Sequence, residues 1–424
     1  MIRATRAKRT RLIDRLDEFE SLYEKKEPRI HAFLPEKDRF KRLYQEAKSL
    51  QRKYPKQEKR PPLYGLLLGV KDIFHVDGFP TQAGSYLPAS ELRGKEAASV
   101  TELKAAGMLV SGKTVTTEFA YYAPGPTRNP HNTEHTPGGS SSGSAAAVAA
   151  GLADLALGTQ TIGSVIRPAS FCGVVGFKPS FSRISTDGVI PLAPSLDHVG
   201  MFSHYVELIA RVLPLLLEKW KPISPVERKP FLAIPTGEYL DKADREMRAD
   251  FEQTIERLKT NGYRVKELNP FKDFPAVVER HNIILAAEAS RVHAAWFSDF
   301  SFLYHRKTAE LIEKGLKISD SILEQALIEA WQFRLDLSTL MDIHGIDAWI
   351  SPAAKGAAPR GLASTGDPVM NLPWTQAGFP TLGLPSGMNA EGLPLGLQIT
   401  ADFNRDEDLL GWGADIEKAL AVRV

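Results

Sequence analysis

PGGSSSGSAAAVAAGLADLALGTQTIGS occupies residues 137–164. Two loops rich in Gly, Ser and Thr, Pro137–Ser144 and Gly158–Ser164, enclose a stretch of small apolar residues. Ser144–Leu152 reads as an alanine-rich helix and Leu155–Leu157 as a short buried strand. Such loops can aim several backbone N–H groups at one point, and that arrangement binds a negative oxygen. Phosphate binding is the first alternative, but the stretch lacks the Lys of GxxxxGK[ST] and fails the GxGxxG spacing. It also contains no GxSxG elbow. On residues alone it establishes tight backbone and many hydroxyls, and a purely structural reading stands beside a catalytic one.

The flanking sequence sets these loops in a folded core. A flexible linker would share the low complexity of residues 105–200, but here polar clusters alternate with apolar runs such as Gly173–Phe177. Leu66–Val70 reads as a buried strand stopped by Lys71-Asp72. Farther on, Phe231–Ile234 is a strand, and Met247, Phe251, Ile255 and Leu258 share one helical face. Asn261-Gly262 ends that helix, and Tyr263–Leu268 is the next strand. Ser321 with Glu324 has the capping-box spacing for a helix to about Met341, followed by a strand at Ala348–Ile350. Alternation of this kind predicts an α/β fold, one large domain with a central mixed sheet covered by helices. Residues 1–60 form a polar helical arm, with one helix at Asp38–Gln51, and Pro55, Pro61 and Pro62 close it.

Composition narrows the function. The chain has 424 residues, 43% hydrophobic and 25% charged, a balance that excludes a disordered or fibrous protein. A net charge of +2 gives no global field for nucleic acid or anionic membrane, so neither is expected as a partner. No apolar run reaches the roughly 18 residues of a membrane helix. One cysteine, Cys172, excludes an internal disulfide and a Cys-based zinc site, and a reducing, cytoplasmic setting is expected. The basic start at Arg3, Arg6, Lys8, Arg9, Arg11 and Arg15 could be a targeting peptide, but Asp14, Asp17, Glu18 and Glu20 follow at once and favour a solvated helix.

Lys71 ends an apolar run, where a lysine ordinarily snorkels to solvent. Pointed instead into a dry, serine-rich pocket, it loses proton affinity and can serve as a base. A serine nucleophile needs such a base, and lysine can replace histidine in that role.

With these residues assembled, the chain resembles the amidase signature family. The resemblance rests on Gly69-Val70-Lys71-Asp72, Pro137-Gly138-Gly139-Ser140-Ser141, and Gly163-Ser164 with Pro168-Ala169, Gly173, Gly176 and Lys178-Pro179. It extends through Thr127-Arg128-Asn129-Pro130, Ser195-Leu196-Asp197 and Gly392-Leu393-Pro394-Leu395-Gly396-Leu397-Gln398. It covers about 60–205 and 345–420, which implies an amidase domain at 61–424 with a variable substrate-pocket region at 205–345. The resemblance implies a Ser-Ser-Lys triad. Lys71 is then the base, Ser164 the nucleophile, and Ser140, 24 residues before Ser164, the bridging serine. It further implies a cis peptide before Ser140, and an oxyanion hole from the N–H groups of Thr161, Ile162, Gly163 and Ser164. Ser141 and Arg167 are candidate substrate contacts, although Arg167 stands one place from the usual family arginine and also suits a structural role. No metal or organic cofactor is implied.

Four positions depart from the common pattern. Gln160 replaces an acid, Ile162 and Ser142 each replace a Gly, and Ile166 stands where an Arg is usual. Ile162 is expected to narrow the acyl pocket while still supplying an N–H. His131 and His135 have helical metal-ligand spacing, but Pro130 and Pro137 argue for a loop. Cys172 is expected to be an inert buried thiol, Asp72 to lie off the reacting face, and Asp197 to fix a turn. The implied activity is hydrolysis of a small-molecule carboxamide through an acyl-serine, and the resemblance is compatible with a homodimer. Rival readings are the A-type glutaminase subunit of a Gln-tRNA amidotransferase and an inactive binding module. Gln160, Ile162 and the shorter chain weigh against the glutaminase reading, and the intact Lys71, Ser140 and Ser164 against the inactive module.

Overall fold

The computed structural model describes residues 11–217, 219–223 and 228–420. The basic positions Arg3, Arg6, Lys8 and Arg9 lie outside the described residues. The chain opens with helices α1 (Leu12–Ile30) and α2 (Arg39–Lys53), then β1 (Leu67–Lys71), α3 (Ala98–Ala105) and β2 (Leu109–Thr114). Next come α4 (Ser142–Ala149), β3 (Leu155–Gln160), α5 (Ile166–Cys172), β4 (Val175–Lys178), β5 (His198–Ser203) and α6 (Val206–Leu216). The middle holds β6 (Phe231–Pro235), α7 (Arg245–Thr260), β7 (Arg264–Leu268) and helices α8 (Phe274–Val292), α9 (Ala294–Phe300), α10 (Arg306–Gly315) and α11 (Asp320–His344). The chain closes with β8 (Ala348–Pro352), α12 (Leu372–Gln376), β9 (Thr381–Met388), β10 (Pro394–Ala401) and α13 (Asp406–Leu420).

One mixed sheet takes the strands in the order β2-β1-β3-β5-β4-β9-β10-β8-β6-β7. Its two flanks are parallel triplets, β2-β1-β3 and β8-β6-β7. The strands between pair antiparallel. Parallel strands need helical crossovers that cover both faces, and β1 accordingly reads as an unbroken buried run. The edge strand β7 carries Arg264, Lys266 and Glu267 on a partly exposed ladder, which discourages pairing with another chain.

The N-terminal helices pack onto the sheet. Leu16 and Leu43 are fully buried in one apolar cluster with Leu67, Leu109 and the alanines of α4. Each such leucine contributes roughly 1.5–3 kcal/mol by its burial. Arg15 pairs with Asp154 at the start of β3 and adds a polar tie.

Two local readings shift. The cap of α11 is Ser319, whose hydroxyl accepts from the N–H of Ile322, so Ser321 lies inside the first turn. The helix continues past Met341 to Gly345, which adopts φ 61, a left-handed conformation that closes the helix cheaply only without a Cβ. The strand expected at Ala348–Ile350 includes Ser351 and Pro352, because β10 pairs with both. No helix among the described residues is long and apolar enough to cross a membrane.

Candidate active site

Lys71 is the last residue of β1 and is fully buried. Its Nζ lies 2.7 Å from Ser140 Oγ and 2.8 Å from Thr159 Oγ1. Parallel pairing sets Val70 opposite Leu157 on β3, which brings Thr159 within reach of the lysine. Burial holds the Lys71 ammonium well below its ordinary value, and only Asp197 opposes this. A neutral amine keeps one lone pair, so Lys71 can accept a proton from Ser140 while it donates to Thr159.

Ser140 follows a cis Gly139–Ser140 peptide, as the resemblance implies. Its loop is fixed on both sides. The Ser140 carbonyl accepts from the N–H of Thr117 at 3.1 Å. Ser141 Oγ donates to the Thr159 carbonyl and accepts from the Thr159 N–H, each at 3.2 Å. Ser144 Oγ donates to the Leu157 carbonyl at 2.8 Å. Ala145, Ala146 and Ala147 are fully buried, and their small side chains let α4 lie close over β3.

Ser164 sits in the turn between β3 and α5. It is 7% exposed against 2% for Ser140, so of the two serines it is the more accessible to a substrate. No turn, loop or side-chain hydrogen bond of the described residues uses the N–H of Ile162, Gly163 or Ser164. Donors left free in this way suit a ligand oxygen. Thr161 Oγ1 donates to Asp197, which also accepts from the N–H groups of Leu192 and Ala193 at 2.8 and 3.0 Å. Burial pushes the Asp197 carboxyl up to about 6, and these three donors pull against it. Asp197 thus ties the start of the turn to the 190s loop, the structural role expected of it.

Gly163 is pressed on by a neighbouring side chain. A Cβ there would meet Asn371 Oδ1 at 2.3 Å and Pro368 Cβ at 3.0 Å. Gly163→Ala is therefore expected to displace the turn and lower kcat/KM by roughly 100-fold, since misplacing reacting groups by about 1 Å costs that much. A steady-state assay on the folded variant checks this. Ile162 adjoins Gly163 in the same turn. Its side chain packs into an apolar cluster with Leu192, Leu196, Val277 and Leu372. Ile162→Ala should cost roughly 2–4 kcal/mol of stability, read from the denaturant midpoint.

The remaining candidates divide. The Ser141 hydroxyl is engaged at both ends by Thr159. Arg167 is buried; its Nη2 donates to the Gly139 carbonyl at 2.6 Å and to Thr365 Oγ1 at 3.3 Å. Its Nε and Nη1 have no partner among the described residues. Thr365 and Pro368, which touch the Gly139 and Gly163 positions, also line an open cleft with Tyr122, Lys307 and Asp367. Asp72 pairs with Lys113 Nζ at 2.8 Å and accepts from the N–H groups of Gln82 and Ala83. Cys172 is buried, its thiol pushed up by desolvation. His131 and His135 bond to the separate carbonyls of Cys172 and Ala358, and no metal-ligand cluster occurs among the described residues. Sequence reasoning missed Thr159 and Thr375. Thr159 was within reach of the strand register, because β1 and β3 had to lie side by side for Lys71 to meet the glycine loops.

Known proteins resemble this chain in sequence and in fold. The family profile described as Amidase matches residues 21–410. The A-type chain of the glutamyl-tRNA(Gln) amidotransferase from Koribacter versatilis (strain Ellin345) is 30% identical over 414 residues, covering 85% of each chain. A crystal structure of an amidase superimposes with a TM-score of 0.88 at 30% identity, over 98% of both chains. The peptide amidase from Stenotrophomonas maltophilia gives 0.80 at 26% identity, over 97% of this chain and 94% of that one.

Proposed function

Because the chain belongs to the amidase family, we propose that it hydrolyses a carboxamide C–N bond of a small molecule through an acyl-Ser164 intermediate. The observation that carries this reading is the buried contact of Lys71 Nζ with Ser140 Oγ at 2.7 Å, beside a turn whose amide donors are free. Lys71, held neutral by burial, takes the proton of Ser140 as Ser140 takes that of Ser164. The Ser164 oxygen then attacks the amide carbon. The N–H groups of Thr161, Ile162, Gly163 and Ser164 receive the oxyanion, where loss of one donor typically costs about 100-fold or more. The proton returns through Ser140 to the leaving amine as the C–N bond breaks. Water, deprotonated by the same pair, adds to the acyl carbon, and Ser164 departs with its proton restored. No step calls on a metal or organic cofactor.

The cleft beside Thr365 and Pro368 supports substrate entry from that side, since its walls touch both serine loops. Arg167, proposed as a candidate substrate contact, lies buried behind that wall, where its Nη2 donates to Thr365 Oγ1 and the Gly139 carbonyl. Ser141 supports the site through Thr159. Within this proposal 61–424 is the amidase domain, 205–345 shapes its substrate pocket, and 1–60 is a helical arm.

A second reading has specific support. Relatives at about 30% identity are A-type chains of glutamyl-tRNA(Gln) amidotransferases, which favours a glutaminase working with partner chains and tRNA. Two measurements separate the readings. A fluorophosphonate probe should label Ser164, and an unlabelled protein would identify an inactive binding module. A panel of aliphatic, aromatic and ureido amides should then be hydrolysed by the isolated chain. Turnover of glutamine only with co-purified partner chains would establish the amidotransferase reading instead.

A further inference from the structure

Behind the Ser164 turn runs a polar chain that the three reacting groups do not include. Gln160, the last residue of β3, is 1% exposed. Its Oε1 accepts from the N–H of Val165 at 2.8 Å and of Ile166 at 3.0 Å. Two backbone donors can face only the oxygen of a carboxamide, so the Gln160 side chain has one orientation. Its Nε2 consequently donates to Thr375 Oγ1, at 2.9 Å. A hydroxyl has a single proton. With an N–H set against its oxygen, Thr375 must give that proton to a carbonyl. Ile162 O stands at 2.7 Å and Asn371 O at 3.2 Å, and the shorter contact takes it. In a planar trans peptide the C=O and the following N–H point in opposite directions. Holding Ile162 O against Thr375 therefore turns the Gly163 N–H away from Thr375.

We propose that Thr375 is a positioning residue for amide hydrolysis: its hydroxyl, given one polarity by Gln160, sets the Ile162–Gly163 peptide so that the Gly163 N–H meets the oxyanion. This rests on the reading of Ser164 as nucleophile. It also gives a reason for Gln at position 160. A carboxylate there could still accept from Val165 and Ile166, but it has no N–H to offer Thr375. The Thr375 proton would turn toward the carboxylate, and Ile162 O would lose its donor. Gln160 and Thr375 thus act as a pair, and changing the polarity of either one releases the same peptide.

The test uses an amide that the parent protein hydrolyses and an alkylboronic acid, which forms an anionic tetrahedral adduct on serine. Thr375→Val keeps the shape and removes the hydroxyl. It should lower kcat roughly 10- to 100-fold, leave KM nearly unchanged, and weaken the boronic acid by about the same factor as kcat. Thr375→Ser should restore most of both. Gln160→Glu, close to isosteric, should reproduce the Thr375→Val losses and provides the reading if the valine variant does not fold. A thermal melt on each variant separates these effects from unfolding. A folded Thr375→Val or Gln160→Glu protein with parental kcat and parental boronic-acid affinity overturns the assignment. So does a loss carried by KM alone. If the parent is labelled by a fluorophosphonate at a serine other than Ser164, the functional reading fails and takes this inference with it. If Ser164 is labelled and the variants are unaffected, the inference alone fails.

Discussion

Ser164→Ala is expected to remove roughly 10⁴- to 10⁶-fold of kcat, because on the proposed mechanism Ser164 carries the acyl group. The fold should be unaffected, since Ser164 makes no hydrogen bond that the turn relies on among the described residues. Three hydroxyls crowd the other loop. Ser141 is engaged by Thr159 at both ends, Ser142 is 3% exposed, and Ser140 meets Lys71. Intact-mass analysis after fluorophosphonate treatment, followed by peptide mapping, should place the adduct on Ser164 in the parent and show none in the variant. An adduct on Ser141 or Ser142 would remove Ser164 from the mechanism.

The second large effect is at Lys71. A lysine with an ordinary pKa of about 10.4 would be charged at pH 7 and could take no proton. Desolvation in the buried site favours the neutral amine, while Asp197 pulls the other way. A base works only when neutral, so if Lys71 fills that role, as proposed, activity should rise with pH through its depressed pKa. The acid limb of kcat/KM should report that group. Stability has the same sign. The unfolded chain holds a proton on Lys71 that the folded chain has lost, so the fold gains stability as pH rises between the depressed value and the ordinary one. Lys71→Ala should cost roughly 10²- to 10⁴-fold at neutral pH. Lys71→Arg should do no better, because a guanidinium stays protonated. Profiles of kcat/KM against pH for the three proteins decide the matter. Parental activity in Lys71→Arg would show a structural or charge-holding role and end the Ser-Ser-Lys mechanism for this chain.

The parts legible in the sequence are those whose neighbours are close along the chain. The small residues of α4 between two glycine loops, the apolar run ending in Lys71, and the β-α-β alternation after residue 230 each announce themselves by local pattern. The resemblance to a known family adds the pairing of Lys71 with Ser140 across 69 residues, which no periodicity could supply. What stays hidden depends on long-range placement. The packing of Ile162 is hidden because its neighbours Val277 and Leu372 come from remote segments. Gln160 reads as a bare departure because its partner Thr375 stands 215 residues away in a five-residue helix. The cap of α11 falls two residues before the expected one, since Ser319 and Ser321 satisfy the same composition rule and only the backbone geometry separates them.

Strand order also has a consequence for synthesis. Lys71, Ser140 and Ser164 all emerge early, but the hydroxyl that holds Ile162 follows it by 213 residues. At about 5–20 residues per second of elongation, that delay is roughly 10–40 s. β9 and β10, which fill the gap between β4 and β8 in the sheet, emerge later still. On the proposed mechanism, a nascent chain on the ribosome therefore carries Lys71, Ser140 and Ser164 before the Thr375 hydroxyl that donates to Ile162 O. The chain is accordingly expected to remain inert until its final strands have been released and inserted, so that hydrolytic power arises with completion of the polypeptide.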